Sequence, residues 1–213
     1  MDYTQAIKEY IELERFVLSK LNIDAINTVM NALEAARQRS ATIYIFGNGG
    51  SASTASHFVN DFNKGLSEHL EQPFKFVCLN DNIATVMAIA NDIGYEAIFE
   101  YQLRDRVVKD DLVIGISASG NSSNIIKAVE LAKSVGALTI GLTGFKGGLL
   151  IKTADISLHV PVMSMQVTED AHMIYDHLMM AVFYKVLCGI DHIKEKLYDY
   201  SANTNKSQLL RRR

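Results

Sequence analysis

The chain has 213 residues, 48% of them hydrophobic, which is enough for one large domain with a sizeable core. Its formal net charge of −3 and a pI near 6.1 argue against a general affinity for nucleic acid or acidic membranes. No run approaches the roughly 18 apolar residues of a membrane span, and the N-terminus lacks a basic start followed by an apolar stretch. These features predict a soluble, cytoplasmic protein without a signal peptide. Cys78 and Cys188 stand in apolar contexts and predict buried, reduced thiols.

Residues 3 to 38 have the apolar spacing of helices, with a break near Asn22 to Asp24. No strand pattern separates the two helices. Such a pair can pack on a neighbouring subunit as easily as on its own core. We therefore predict that residues 1–40 form a helical extension at an oligomer interface.

From residue 42 onward the period changes to short, apolar, β-branched runs. The predicted strands are 42–47, 74–80, 111–120, 137–144 and 156–161, and the predicted helices are 51–62, 83–90, 96–108, 122–135 and 168–187. This alternation predicts an α/β fold, a doubly wound parallel sheet flanked by helices, over residues 41–200. Residues 201–213, which end in three arginines, are predicted to be a mobile tail without an assigned function.

Two turns at the ends of predicted strands are rich in glycine and serine: "GNGGSAST" at 47–54 and "SASGNSSN" at 117–124. In an open parallel sheet, ligands bind beyond the carboxyl ends of the strands, where helix N-termini attract anions. Neither turn matches GxGxxG or GxxxxGK[ST], so a small phosphorylated ligand fits better than a nucleotide. The alternative is that Ser51 and Ser122 only cap helices.

Histidines and carboxylates form two groups along the chain. His57 and Asp61 are four residues apart and share a helical face. In "TEDAHMIYDH", Glu169 and His172 share a face, while His177 lies about 80° around the helix from Glu169 and roughly 12 Å along it. Imidazole and carboxylate together are typical of zinc sites. The alternatives are an exposed polar pair at His57 and Asp61, and a hydrogen-bonded interior residue at His172.

Five segments occur in the order "GNGGSASTASHF", "IANDIGY", "GISASGNSSNIIKAVELAKSVG", "LTGFKGG" and "EDAHMIYDH". Together they resemble the sugar isomerase (SIS) domain family, and within it the bacterial phosphoheptose isomerase branch, over residues 40 to 187. The resemblance implies a doubly wound sheet and a homotetramer with shared active sites. It also implies interconversion of sedoheptulose 7-phosphate and D-glycero-D-manno-heptose 7-phosphate, with zinc in many members.

The resemblance also implies a role for individual positions. The phosphate is expected at Ser117, Ser119 and Ser122, with Ala118 offering its backbone where many relatives have threonine. The sugar is expected to contact Asn48, Gly49, Gly50, Ser51, Asp61, Asn91, Asp92 and Glu169. The metal ligands are expected to be His57, Asp61, Glu169 and His177.

Two of these positions depart from the family pattern, which has Glu at position 61 and Gln at position 169. Asp61 is one methylene shorter, which draws its carboxylate back by about 1.5 Å. A misplacement of that order can cost about a hundredfold in rate. The substrate sits closer here, or Glu169 has taken over part of the work, or the chain acts on a related sugar phosphate.

Ketose–aldose isomerisation moves a proton between C2 and C1 through an enediol. The hypothesis is that Asp61 or Glu169 removes the proton, His177 passes one to or from oxygen, and zinc polarises the carbonyl. One alternative is a non-catalytic SIS protein that binds sugar phosphate or serves as a replication-initiator adaptor. Another is an isomerase of a different phosphosugar.

Overall fold

The computed structural model describes residues 1–193 of the chain. Five parallel strands form one sheet in the order β2-β1-β3-β4-β5. The strands are β1 (Ile43–Gly47), β2 (Phe76–Cys78), β3 (Leu112–Ser117), β4 (Leu138–Thr143) and β5 (Ile156–His159). The direction of winding reverses between β1 and β3, and a crevice for ligands opens at such a reversal. The predicted fold class is confirmed, and both glycine–serine turns flank this crevice.

Eight α-helices accompany the sheet in the described part of the chain. They are α1 (Thr4–Leu18), α2 (Ile23–Gln38), α3 (Gly50–Asn60), α4 (Ile83–Asp92), α5 (Glu100–Leu103), α6 (Ser123–Ser134), α7 (Leu150–Thr153) and α8 (Met165–Leu187). Ile43 and Ile45 point to a core with α2, α3 and α8, whereas Tyr44 and Phe46 point to a second core with α4 to α7. This alternation along β1 covers both faces of the sheet. It also places α3 and α8 on the same face.

Two helices differ from their predicted extents. The segment 96–108 is broken into a 3-10 turn (Tyr95–Ala97) and the short α5, after which Asp105 adopts a left-handed conformation with φ 63°. The helix predicted to end at 62 continues instead as a π-helix (Asp61–Leu66) and a 3-10 turn (Ser67–His69). A π-turn widens the helix by one residue, and such turns are frequent at functional sites.

Both cysteines are free thiols, as predicted; Cys78 is buried and Cys188 is half-buried. Among residues 1–193, none of the helices combines the length and the apolar character needed to cross a bilayer. The predicted cytoplasmic location stays a prediction. The predicted tail and the last residues of the predicted domain lie outside the described residues.

Candidate active site

A pocket of about 290 Å³ lies in the crevice between β1 and β3. Its walls come from the two glycine–serine turns and from the first turns of α8. The lining residues are Asn48, Gly49, Gly50, Ser51, Ile116, Ser117, Ala118, Ser119, Ser122, Met165 and Glu169. The structure therefore brings together nine of the residues that the sequence analysis singled out, on a pocket of small-ligand dimensions.

The backbone of the two turns requires glycine. Gly49 has φ 56° and ψ −121°, and Gly120 has φ 66°, both in regions that favour glycine. A Cβ on Gly120 would overlap the carbonyl of Gly147. A Cβ on Gly47 would lie 2.7 Å from the main chain of Ser51, so glycine lets the end of β1 approach the start of α3.

The serines of the second turn point at one another and not at the helix backbone. Ser122 is the N-cap residue of α6, yet within the described chain its hydroxyl makes no capping hydrogen bond. Its Oγ lies 3.1 Å from Ser117 Oγ, which is 3.5 Å from Ser119 Oγ. Ser51 is the second residue of α3, after the N-cap Gly49. Helix capping therefore does not account for these serines, and three rotatable hydroxyls at a helix start form a ready anion site.

An amide pair joins the two turns. Asn48 Nδ2 donates to Asn124 Oδ1 at 3.0 Å, and Asn124 Nδ2 donates to Asn48 Oδ1 at 2.9 Å. The hydroxyl of Tyr95 donates to the same Asn48 oxygen at 2.8 Å. The sequence analysis missed Asn124, which is buried at the start of α6. Its position seven residues after Ser117, inside the serine-rich turn, was the available indication.

Asn91 and Asp92 stand apart from this pocket. Both are exposed at the end of α4, where Asn91 Nδ2 donates to Asp92 Oδ1 at 2.7 Å. Within the described chain they are not among the residues that line the pocket. Their expected contact with the sugar stays a prediction.

Glu169 belongs to α8, and its side chain lies against the beginning of α3. Its carboxylate packs directly on Gly50, where a Cβ would overlap it. The N-terminus of a helix carries partial positive charge and stabilises a carboxylate there. Glu169 thus belongs to the pocket, and it is the one carboxylate among the pocket's lining residues.

A second group of side chains lies further along the same two helices. His57 Nε2 is 3.1 Å from His177 Nε2, and Asp61 Oδ2 is 3.5 Å from the first and 3.8 Å from the second. Asp176 Oδ2 is 3.8 Å from His57 Nε2. We call His57, Asp61, Asp176 and His177 the His–Asp cluster; one ligand atom from each lies within 4.8 Å of all the others. Glu169, an expected metal ligand, is not in this group.

Helices α3 and α8 run parallel, which explains the separation of the two groups. Gly50 of α3 contacts Glu169 of α8 at one level along the helices. At the next level, His57 of α3 lies beside Asp176 and His177 of α8. The two levels are seven residues apart on each helix, or about 10.5 Å at 1.5 Å per residue. The crevice pocket and the His–Asp cluster are therefore two separate sites, one after the other along the same pair of helices.

Asp61 reaches the cluster although it is shorter than the family's usual glutamate. It is the first residue of the π-helix, and its side chain is largely buried. Its Oδ1 accepts a hydrogen bond from Asn60 Nδ2 at 3.0 Å, while Oδ2 faces the two histidines. The shorter side chain thus contacts both imidazoles within one chain.

Asp176 is the residue of the cluster that the sequence analysis missed. Its side chain is fully buried, and neither carboxylate oxygen has a hydrogen-bond partner among the described residues. Burial, together with the nearby Asp61 carboxylate, raises the pKa of Asp176 to about 8. The indication in the sequence was a carboxylate four residues after His172 on the apolar face of a helix.

For His172 the structure supports the alternative given above, a hydrogen-bonded interior residue. It is fully buried, and its Nε2 lies 3.3 Å from the carbonyl oxygen of Thr143 at the end of β4. Burial lowers its pKa to about 4, so the ring is neutral at physiological pH. His172 connects α8 to the sheet and belongs to neither the crevice pocket nor the His–Asp cluster.

The donor chemistry of the His–Asp cluster fits a divalent metal. Zinc takes imidazole nitrogen at about 2.0–2.1 Å and carboxylate oxygen at about 2.0–2.2 Å, and two such ligands of one tetrahedral ion stand roughly 3.3 Å apart. The histidine nitrogens and the Asp61 oxygen, at 3.1 to 3.8 Å from one another, are close to that spacing. The cluster could therefore hold a metal ion.

Comparisons with known proteins agree with the geometry. Residues 2–144 match the SIS domain family model. A phosphoheptose isomerase of Thermodesulfovibrio yellowstonii is 37% identical over 83% of this chain and 87% of its own, and a probable phosphoheptose isomerase of Thermoplasma acidophilum is 33% identical over 82% and 96%. The solved structure of a phosphoheptose isomerase from Francisella tularensis has a TM-score of 0.79 at 27% identity, covering 84% of this chain and 97% of that one. The chain belongs to the SIS domain family and, within it, to the phosphoheptose isomerases, which are aldose–ketose isomerases.

Proposed function

We propose that the chain interconverts sedoheptulose 7-phosphate and D-glycero-D-manno-heptose 7-phosphate with the help of zinc. The observation that carries the proposal is that the crevice pocket and the His–Asp cluster lie next to each other along α3 and α8. One is an anion site with three serine hydroxyls, and the other is a cluster of imidazoles and carboxylates. A phosphosugar isomerase needs both, because the phosphate fixes the substrate while the reaction takes place at the opposite end of the chain.

The separation of the crevice pocket and the His–Asp cluster suits a long sugar. The Gly50–Glu169 contact in the pocket lies about 10.5 Å along α3 and α8 from the His57–Asp176 contact in the cluster. An open seven-carbon chain measures roughly 10 Å from C1 to its phosphorus, given bonds of about 1.5 Å. We infer that a substrate anchored by its phosphate at the serine turn extends along α8 and places C1 and C2 between Glu169 and the His–Asp cluster.

Proton transfer between C1 and C2 requires a free carboxylate or imidazole beside the substrate. Asp61 Oδ2 faces both histidines of the cluster, and on this ground we assign Asp61 to metal binding. Glu169 lines the pocket itself, with its carboxylate against the start of α3, and so lies beside a sugar bound there. We assign the role of base to Glu169.

Metal binding would use His57, Asp61 and His177, and zinc held there would supply Lewis-acid polarisation of the sugar carbonyl. The proton shuttle predicted for His177 needs its Nε2 atom free. That atom lies 3.1 Å from His57 Nε2, inside the cluster, so the two roles of His177 compete. We assign His177 to the cluster.

The test is an NMR assay of candidate phosphosugars in deuterium oxide, with and without added zinc. Conversion of the seven-carbon substrate, with deuterium incorporated at C1 or C2, is the expected result. Conversion only of a five- or six-carbon phosphosugar would replace the proposed substrate. Binding of sugar phosphate without exchange, by a metal-free protein, would favour the non-catalytic alternative.

Replacing Ser122 by aspartate is expected to raise KM for the sugar phosphate by about 100-fold. The new carboxylate would stand beside Ser117 Oγ, where the phosphate binds, and repel it. Steady-state kinetics measure the effect, and Ser122→Ala is the matched control, with a loss of roughly 10-fold or less because the backbone donors remain. Equal KM values for the aspartate variant and the wild type would contradict the phosphate assignment.

We also propose that the chain forms a homotetramer in which α1 is covered by a second copy. Within α1 only Val17 is buried, while Ile7 is 57% and Phe16 60% exposed on the same helix. Tyr3, Tyr10, Ile11 and Leu13 add to this apolar surface. Exposed apolar side chains in this number on one helix mark an interaction site.

The double variant Ile7→Asp and Phe16→Asp is expected to lower the mass measured by light scattering from four chains to a smaller assembly. Two buried carboxylates at the interface would have no partners, which costs several kcal/mol. Thr4→Asp and Gln5→Asp, which introduce the same number of carboxylates with the same change in net charge at exposed polar positions of α1, serve as the control. An unchanged mass in the variant with Ile7→Asp and Phe16→Asp would place the subunit contact elsewhere.

A further inference from the structure

We infer that Asp176 supplies the fourth protein ligand of the metal, in the place that the family pattern gives to residue 169, and that Glu169 is thereby left free for the sugar pocket. The inference rests on the proposed metal-assisted function and concerns which residues hold the ion. It makes the metal shell of this chain two imidazoles and two carboxylates.

The first argument is the direction from which Asp176 approaches. A carboxylate that merely orients a ligating histidine accepts the N–H of the ring nitrogen that does not bind the metal. Asp176 Oδ2 instead lies 3.8 Å from Nε2 of His57. That nitrogen is the one that faces His177 and Asp61. Asp176 therefore points into the cluster from the same side as the other ligands.

The second argument is the state of the Asp176 side chain. It is fully buried, and both oxygens lack hydrogen-bond partners within residues 1–193. A buried carboxyl group without partners costs free energy, and a fold retains such a group when it is paired or coordinates a metal. The nearest candidate for a partner is the cation that His57, Asp61 and His177 would bind.

The third argument is charge. One carboxylate and two neutral imidazoles leave a divalent ion with a net positive charge beside the buried side chains of Asp61 and Asp176. A second carboxylate cancels it, which lowers the cost of burying the ion. Asp176 brings this charge from the protein core, whereas His177 beside it on α8 is half exposed.

The fourth argument is the position of Glu169. Its carboxylate rests on Gly50, one contact level before the cluster, about 10.5 Å along the parallel helices. A glutamate side chain does not span that distance. Within this chain, therefore, Glu169 belongs to the crevice pocket and not to the His–Asp cluster. Asp176 takes the place of residue 169 as the fourth metal ligand.

The experiment measures metal binding and unfolding without relying on activity. The full chain is stripped with a chelator and titrated with Zn²⁺ against a competing chelator, and with Co²⁺ while visible absorption is recorded. The variants are Asp176→Asn and Asp176→Leu, with Glu169→Gln as the matched control on the same helix. We expect both Asp176 variants to weaken Zn²⁺ binding by at least about 10-fold and to alter the Co²⁺ spectrum. Glu169→Gln is expected to keep both.

Thermal unfolding gives a readout that a purely structural role would not produce. In chelator, Asp176→Leu is expected to raise Tm by roughly 2–4 °C, because it removes unpaired polar atoms from the core. The rise in Tm on adding Zn²⁺ is expected to shrink in the same variant. Two changes of opposite sign follow only if the buried carboxylate serves the metal.

Three results would overturn the inference. The first is an unchanged Zn²⁺ affinity in Asp176→Asn, which is isosteric and keeps the fold testable if the leucine variant does not fold. The second is a loss in Glu169→Gln as large as that in Asp176→Asn. The third is a wild-type chain that binds no divalent metal, which would also remove metal assistance from the proposed function, whereas the first two leave it intact.

Discussion

Replacing His57 by alanine is expected to abolish stoichiometric zinc binding and to lower kcat/KM by about 10³-fold or more. His57 is the centre of the His–Asp cluster, since its Nε2 contacts His177, Asp61 and Asp176. Without it, the remaining side chains offer one imidazole and two carboxylates that repel each other. Loss of Lewis-acid stabilisation worth about 4 kcal/mol corresponds to a factor of about 10³ in rate.

The measurement combines metal analysis of the purified protein with steady-state kinetics. His69→Ala is the control, because His69 is exposed in the 3-10 turn that follows the π-helix and is not in the cluster. The affinity of His57→Ala for inorganic phosphate is expected to stay unchanged, since the serines line the crevice pocket and are not in the His–Asp cluster. Full activity with no bound metal in His57→Ala would remove the metal from the mechanism, while joint loss of phosphate binding would indicate a damaged fold.

The fold was predictable because its indications are local. Short apolar runs such as Ile43 to Gly47 alternate with helical segments, and each glycine–serine turn lies at the end of its own strand. Parallel pairing then brings the ends of β1 and β3 side by side, and the pocket follows from that geometry. Asn48, Ser117 and Ser122 could be assigned to it from sequence for this reason.

The metal cluster was only half predictable, because it depends on how two helices align. The i, i+4 spacing of His57 and Asp61 places them on one face of α3. No spacing rule tells which residues of α8 lie opposite them. The parallel alignment of α3 and α8 puts Glu169 at Gly50 and Asp176 at His57, and it is a tertiary feature. Adjacent residues do not share a helical face, so Asp176 was overlooked beside His177.

The π-helix is a second feature without a local indication. The pattern at 51–62 predicted an ordinary helix, yet the chain changes its winding at Asp61, one of the cluster residues. Gly65 within it packs against Met180 of α8, where a Cβ would come within 2.5 Å of the methionine methyl group. The extension of α3 packs closely on α8 here, and Asp61 at its start faces the two histidines.

Replacing Glu169 by glutamine is expected to lower kcat by 10²- to 10⁴-fold, the usual contribution of a positioned general base, and to abolish deuterium incorporation at C1 and C2. The amide keeps the size of the side chain against Gly50, so KM and zinc content should change little. Asp61→Asn is the informative comparison. Its Oδ2 faces both histidines, so this variant is expected to lose zinc affinity together with activity.

The two variants thus separate proton transfer from metal binding. Solvent exchange followed by NMR, zinc content and KM would be measured for both on the same preparations. If Glu169→Gln retained exchange while Asp61→Asn lost exchange with its zinc in place, the base would be Asp61. The shorter carboxylate at position 61 would then act directly on the sugar, and the carboxylate at position 169 would serve to bind the substrate. The parallel alignment of α3 and α8 favours the opposite outcome, because it leaves Glu169 at the pocket and commits Asp61 to the histidines.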